Sequence, residues 1–343
     1  MTAYNASEKV VTMAHGSGGL AMQQLIEAMF LCAFDNPWLG EREDGARLSL
    51  ASLSAQGDRL AFTTDSYVID PIFFPGGNIG KLAVCGTAND LVVSGATPTY
   101  LSCGFILEEG LPLSDLQRIV SSMAQTAREA GIAIVTGDTK VVQRGAADKI
   151  FINTAGIGAI PTSVLWGAGY IQPGDKIIVS GTLGDHGAAI LNLRERLGME
   201  LGVESDCAVL ASLVAPLREV SGVHTLRDAT RGGVNAILHE FAQASGYGMA
   251  IDEASLPVKP AVRGICELLG LEALNFANEG KLVLAVSARD EERVLNLLRA
   301  HSLGRDAATI GEVTVDPQVC LRGALGISRQ LMLPWAEPLP RIC

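Results

Sequence analysis

Charge and aromatic residues are scarce in this 343-residue sequence: 18% Asp, Glu, Lys or Arg and 5% Phe, Trp or Tyr, against 48% apolar residues. That balance excludes a disordered chain and fits a globular one. Basic residues are outnumbered, 26 Lys and Arg to 37 Asp and Glu, for a net charge of −11. An acidic chain lacks the basic footprint of a nucleic-acid binder, but its carboxylates suit a magnesium-nucleotide site. No apolar run approaches the ~18 residues of a membrane span. Residues 1–9 lack the basic-then-apolar pattern of a secretion signal, so a soluble, cytoplasmic protein is expected. The five histidines include no H-x-x-x-H pair, which argues against a transition-metal site. Seven cysteines (32, 85, 103, 207, 266, 320 and 343) form no C-x-x-C pair. They read as reduced thiols, the first six as small core residues.

Glycine, by contrast, is abundant: 38 residues against the usual ~7% share, which predicts many tight loops. The length predicts two domains. We divide the chain into an N-terminal segment with a glycine-rich loop (1–44), two αβ domains (45–166 and 167–325) and a flexible tail (326–343). Residues 20–34 carry an apolar helix pattern, and 41–56 read as a surface connection. In the first domain strands are expected at 59–65, 99–107, 132–135 and 150–160, with a small-residue helix over 79–95. A second helix runs to Ala130, capped by Ser114 and closed by Gly131; its apolar face is Leu116, Ile119, Val120, Met123, Ala124 and Ala127. The second domain should hold strands at 176–180, 223–227, 281–287 and 307–315, and helices near 187–197, 206–219, 234–242, 260–269 and 290–301. Strands and helices alternate imperfectly, which predicts an α/β (α+β) chain with mixed sheets.

Asp65, Asp90, Asp138 and Asp228 each fall at a strand end, in the small-residue helix or at a strand-to-helix turn, where open αβ folds collect ligands. Any one of them alone is an ordinary turn residue. Asn89-Asp90 is the least comfortable pair, because both residues lower helix propensity. Thr139 and Lys140 follow Asp138; the lysine can bind phosphate, act as a base or simply be solvated. Arg231-Gly232-Gly233 opens a helix, where backbone donors and a guanidinium can converge on phosphate. Glu279, at a strand boundary, can be a general base, a metal ligand or a bare turn acid. His15 and His186 read equally well as a helix cap and a turn residue. The Gly16–Gly19 turn has no P-loop lysine.

The tail carries three prolines in its last ten residues and ends on Cys343. Proline forbids a regular helix and a central strand, and eighteen extended residues reach on the order of 60 Å. A thiol on such an arm suits a group carrier that visits more than one site; an ordinary disordered terminus that happens to end in Cys is the alternative reading.

Seven stretches occur in order: Ala14-His-Gly-Ser-Gly-Gly19, Thr63-Thr-Asp65-Ser-Tyr-Val, Gly86-Thr-Ala-Asn-Asp90, Gly137-Asp-Thr-Lys140, Asp228-Ala-Thr-Arg-Gly-Gly233, Ala277-Asn-Glu-Gly280 and Pro340-Arg-Ile-Cys343. Together they resemble the HypE carbamoyl dehydratases of [NiFe]-hydrogenase maturation, within the aminoimidazole-ribonucleotide-synthetase and selenophosphate-synthetase superfamily. The terminal stretch is the specific one. The resemblance implies PurM-like N- and C-terminal domains, a homodimer, and ATP and Mg2+ as cofactors. It implies that the carbamoyltransferase HypF loads Cys343, that the S-carboxamide is dehydrated to a thiocyanate, and that a HypC–HypD complex receives the product. It also implies that Lys140 and Glu279 act with Cys343 in catalysis. Asp65, Asn89, Asp90, Asp138, Thr139, Asp228, Arg231, Gly232 and Gly233 would hold the nucleotide, with the four aspartates on the metal. A selenophosphate synthetase would want Cys or selenocysteine in the N-terminal glycine-rich region, and 14–19 has neither. Purine or thiamine-phosphate enzymes would not need a terminal cysteine. A non-catalytic carrier would not need the aspartate set.

Overall fold

The computed structural model describes residues 9–195, 202–323, 326–335 and 341–343. Strands in chain order are β1 (Arg59–Tyr67), β2 (Phe73–Phe74), β3 (Gly77–Asn78), β4 (Thr97–Glu108), β5 (Ala133–Val142), β6 (Ile150–Ile160), β7 (Lys176–Val179), β8 (Val223–Asp228), β9 (Gly248–Asp252), β10 (Leu282–Val286), β11 (Ala308–Thr314), β12 (Val319–Arg322) and β13 (Ser328–Gln330). They form a four-stranded sheet ordered β1-β6-β4-β5, a seven-stranded sheet ordered β13-β12-β9-β11-β7-β10-β8, and the small β2-β3 hairpin. One pair in each large sheet is parallel, β4 with β5 and β12 with β9, and the other neighbours are antiparallel. Both sheets are therefore mixed, as the imperfect alternation predicts.

Helix Ile79–Val93 is buried on nearly every side because it lies against β1 and β6 of one sheet and β8 of the other. That double contact explains its small residues: a Cβ on Gly86 would stand 2.3 Å from the Tyr67 hydroxyl. Helix Leu113–Glu129 buries the expected apolar face, and Gly131 closes it at φ +70°. Its first turn begins one residue before Ser114, with Pro112 in the capping position, so Ser114 is not its cap. The 20–34 helix is continuous but opens into a π-helical stretch over Ile26–Leu31.

Other expectations need correction. β5 does not stop before Gly137 but runs on through Asp138-Thr139-Lys140, because β4 pairs with it as far as Val142. The expected helix at 206–219 shrinks to Ala211–Val214 and a tight turn, with Pro216 breaking the pattern. A short helix at Leu50–Ser54 interrupts the 41–56 region, and another, Pro37–Gly40, immediately precedes it. Cys32 is exposed and Cys320 half-buried, whereas Cys85, Cys103, Cys207 and Cys266 are core residues. The tail starts as an edge strand, β13 on β12; Pro338 and Pro340 lie outside the described residues. No helix among the described residues is long and apolar enough to cross a membrane.

Candidate active site

β1 and β8 end beside the buried helix, and the turn before β10 closes the space between them. The resulting pocket, of about 230 Å³, is lined by Asp65 and Tyr67 from β1, Gly86 and Asp90 from the helix, Asp228, Thr230 and Arg231 after β8, Glu279, and Cys343. Three of the four predicted aspartates, the arginine, the glutamate and the tail cysteine thus converge, although up to 278 residues of sequence separate Asp65 from Cys343.

The carboxylates are short of positive charge. Burial, then the neighbouring Asp90, pushes Asp65 up to about 6, against the opposing pull of Tyr67 and Arg231. Burial and Asp90 likewise lift Asp228 to about 7. Thr63 donates to Asp90 Oδ2 at 2.7 Å, and Tyr67 donates to Asp65 Oδ2 at 3.3 Å. Behind Tyr67 a buried hydroxyl ladder runs to Thr87 (3.2 Å) and on to Thr154 (2.5 Å). It satisfies the phenol in a dry interior, as a buried hydroxyl requires.

Glu279 is 2% exposed, and its Oε1 has no hydrogen-bond partner among the described residues. Burial first, then Cys207 and the acids around it, holds its carboxyl well above the usual carboxylate range. Its backbone is fixed by Asp206, which accepts the Glu279 and Gly280 amides at 3.0 and 3.2 Å. Asp206 is in turn compensated by Lys281 at 3.3 Å, and against the upward push of burial that cation and the Glu279 amide hold its carboxyl below the usual carboxylate value. The two buried acids therefore differ: Asp206, paired with Lys281, is shifted down, whereas Glu279, set among other acids, is shifted up.

Other predicted residues go elsewhere. Asp138 and Lys140 pair at 3.0 Å on the outer face of the four-stranded sheet, both well exposed and away from the pocket. Thr139 points to the opposite face, lining an apolar cavity under the 20–34 helix. Asn89 does not face the pocket: its amide donates to the Ala208 carbonyl at 3.0 Å and accepts from Leu210 N at 2.8 Å. It ties the helix to the following loop. Gly232 and Gly233 are left-handed at φ +73° and +61°, and a Cβ on Gly233 would meet the Leu274 carbonyl at 2.4 Å. Their role here is to start helix Gly233–Ser245 in a tight space. Of the Arg231-Gly232-Gly233 run only the arginine lines the pocket. Among the described residues no cluster of three or more His, Cys, Asp or Glu can by itself cage a metal. Magnesium needs no such cage, since it is held by one or two carboxylates plus phosphate and water. Asp65 and Asp90 offer that oxygen set, and their mutual repulsion is what a cation would relieve.

Asp206, Ser205 and Arg194 carry no local signature: they meet Glu279, His186 and Asp70 across 73, 19 and 124 residues of chain. His186 is not a turn residue: it sits buried in the first turn of helix Asp185–Arg194.

Comparison with known proteins agrees with this architecture. Residues 42–160 match the N-terminal domain, and 172–322 the C-terminal domain, of AIR synthase related proteins. The carbamoyl dehydratase HypE of Escherichia coli K12 is 68% identical over 97% of this chain and 99% of its own. The crystal structure of E. coli HypE superposes with TM-score 0.92, covering 94% of this chain and all of that one. A HypE solved in complex with ATP is 48% identical with TM-score 0.90, over 97% and 99% of the two chains. A HypE–HypF complex contributes a chain at 44% identity and TM-score 0.79, over 90% and 99%. A thiamine-monophosphate kinase from Stenotrophomonas maltophilia, 22% identical at TM-score 0.60 over 77% and 85%, shares the fold. Two PurM-like domains, full-length identity and the terminal Pro-Arg-Ile-Cys lead to one conclusion: the chain belongs to the HypE family of carbamoyl dehydratases.

Proposed function

We propose that this chain dehydrates an S-carboxamide carried on its own Cys343 to a thiocyanate, using ATP. The observation that supports it is the meeting of Cys343 with Asp65, Asp90, Asp228, Arg231 and Glu279 in one pocket. An amide oxygen is a poor leaving group. Transfer of the γ-phosphoryl group of ATP to that oxygen, with loss of one N–H proton, gives an O-phosphorylated imidate on Sγ. Loss of phosphate and the second N–H proton leaves the nitrile. Arg231 offers charge to the phosphates. Glu279 is the candidate proton acceptor: a carboxyl lifted by burial is the stronger base once it ionises. Magnesium, held by Asp65 and Asp90 with Asp228 nearby, would neutralise charge on the transferring phosphoryl group. Enclosure by both domains keeps water from the phosphorylated intermediate.

The ATP complex of a HypE relative supports the nucleotide, and the HypE–HypF complex supports HypF as the carbamoyl donor. The product would pass through HypC–HypD to the iron of a [NiFe]-hydrogenase as its cyanide ligand. A homodimer is proposed through the outer face of the four-stranded sheet, where Leu60, Phe62 and Ile106 stand 56%, 71% and 42% exposed. Lys140 lies beside Ile106 in the register of that face, so a second copy seated there gives Lys140 and Asp138 their route to a nucleotide site, while Thr139 faces the other way, into the interior. The test is intact-protein mass spectrometry after incubation with HypF, carbamoyl phosphate and ATP. A carbamoyl increment on the C-terminal peptide that loses one water with magnesium-ATP is expected. Loading without water loss would refute the dehydration; no loading by an active HypF would refute Cys343 as acceptor.

A further inference from the structure

The last three residues are held through each of their carbonyls, with the exposed Arg341 guanidinium also paired to Asp148 and Asp70. The Arg341 carbonyl accepts from Asp70 N at 3.4 Å and Arg194 Nη2 at 2.7 Å. The Ile342 carbonyl lies 2.8 Å from His186 Nε2, and the Cys343 carbonyl accepts from Val68 N at 3.1 Å. Arg194 is itself aimed by the Asp70 carbonyl, to which its Nε and Nη2 donate at 3.1 and 2.8 Å. The Ile342 side chain is 1% exposed and joins the core.

A carbonyl only accepts, so His186 carries its proton on Nε2. Nδ1 then accepts from Ser205 Oγ at 2.8 Å, and Ser205 Oγ accepts from Cys207 N at 3.2 Å. The ring is fixed on its third side by the edge of Phe74, centroids 5.5 Å apart at 89°. Burial keeps the imidazole below its ordinary pKa and hence neutral, the form this relay requires. None of these contacts uses the Cys343 side chain.

We propose that His186 and Arg194 are positioning residues, a carbonyl clamp that docks the tail in one register whatever group Sγ bears. The proposal rests on the reading of Cys343 as the group-bearing thiol, but the clamp can be tested without carbamoyl donor or nucleotide. Docking protects the Val68 and Asp70 amides, so hydrogen–deuterium exchange of the peptide containing them reports it. In full-length protein, His186→Phe keeps the ring volume and removes the donor, whereas His186→Gln retains an amide donor at similar reach. Exchange at Val68 and Asp70 should quicken on the order of tenfold in His186→Phe and in Arg194→Met, as for a buried carbonyl left unpartnered. It should stay near wild type in His186→Gln. Unchanged exchange in both disruptive variants, with helix 79–93 still protected, would overturn the clamp. If His186→Phe loses that protection as well, Arg194→Met, at the other end of its helix, decides alone. Chemical S-cyanylation of the wild-type protein should leave the Val68 and Asp70 amides protected; their release would overturn indifference to the Sγ substituent.

Discussion

Replacing Asp228 with Asn should stabilise the nucleotide-free protein, by an amount that grows with pH. Asp228 rises from 3.8 to about 7 in the fold, first by burial and then by Asp90. Between those values the folded protein keeps a proton that the unfolded chain has lost. Wild-type stability therefore falls as pH climbs through the window and levels off above it. Asp65, lifted to about 6, adds a loss of the same sign that is complete earlier. The rise at Asp228 corresponds to about 4 kcal/mol at ~1.4 kcal/mol per pH unit. The carboxyl is half-buried at a pocket mouth, where water screens it, so about 2 kcal/mol is the working figure. Asn cannot ionise, so the gain should be small near pH 5 and approach ~2 kcal/mol near pH 8. The assay is urea unfolding at both pH values with EDTA and no nucleotide, comparing midpoints at constant slope. An Asn variant no more stable than wild type near pH 8, or a difference that does not change with pH, would refute the electrostatic account. Such a gain would be bought with function, since a site that holds its charges apart waits for a cation and phosphate.

Glu279→Gln should accept a carbamoyl group yet dehydrate it ~100-fold or more slowly, the usual cost of losing a general base; single-turnover mass spectrometry would show the S-carboxamide accumulating. Ile342→Ala removes three buried carbons, ~0.8 kcal/mol each, and so should shift the docked tail toward release by ~50-fold. Faster alkylation of Cys343 relative to buried Cys103 would register it. Asn89→Ala should destabilise the fold by about 2 kcal/mol through two lost buried hydrogen bonds while nucleotide affinity, by equilibrium dialysis, stays within a few-fold. A large loss of affinity would return Asn89 to the site. Cys343→Ala should abolish carbamoyl loading and leave nucleotide binding intact by the same dialysis.

Strand and helix positions were largely legible in the sequence because they depend on local periodicity. The 113–129 helix shows its apolar face at three- and four-residue spacing, and its burial follows that face. What was missed has long-range causes. β9 and β12 are short and pair with each other in parallel, with no adjacent hairpin turn to announce them. Gly137-Asp138 resembles a turn and so predicts an early end to β5, whereas pairing with β4 carries the strand onward. At the site, Asp65, Asp90, Asp228, Arg231 and Glu279 were legible as polar residues in glycine-rich settings. Asp138 and Lys140 have the same local signature, yet a two-residue alternation turns them to the outer sheet face. Asn89 stands out in the sequence because an Asn-Asp pair lowers helix propensity; the partners that account for it, 119 and 121 residues away, cannot be inferred from spacing.

The 205–207 loop holds two moving parts of the chemistry at once. Ser205 steadies the imidazole on the Ile342 carbonyl, and Asp206 fixes the amides of Glu279 and Gly280. In metrological terms, the acid and the thiol-bearing residue are referenced to one datum, and the tolerance stack between them is a few hydrogen bonds long. Thermal drift of one domain against the other then carries both together, so their separation should vary less than either one's distance from the rest of the pocket.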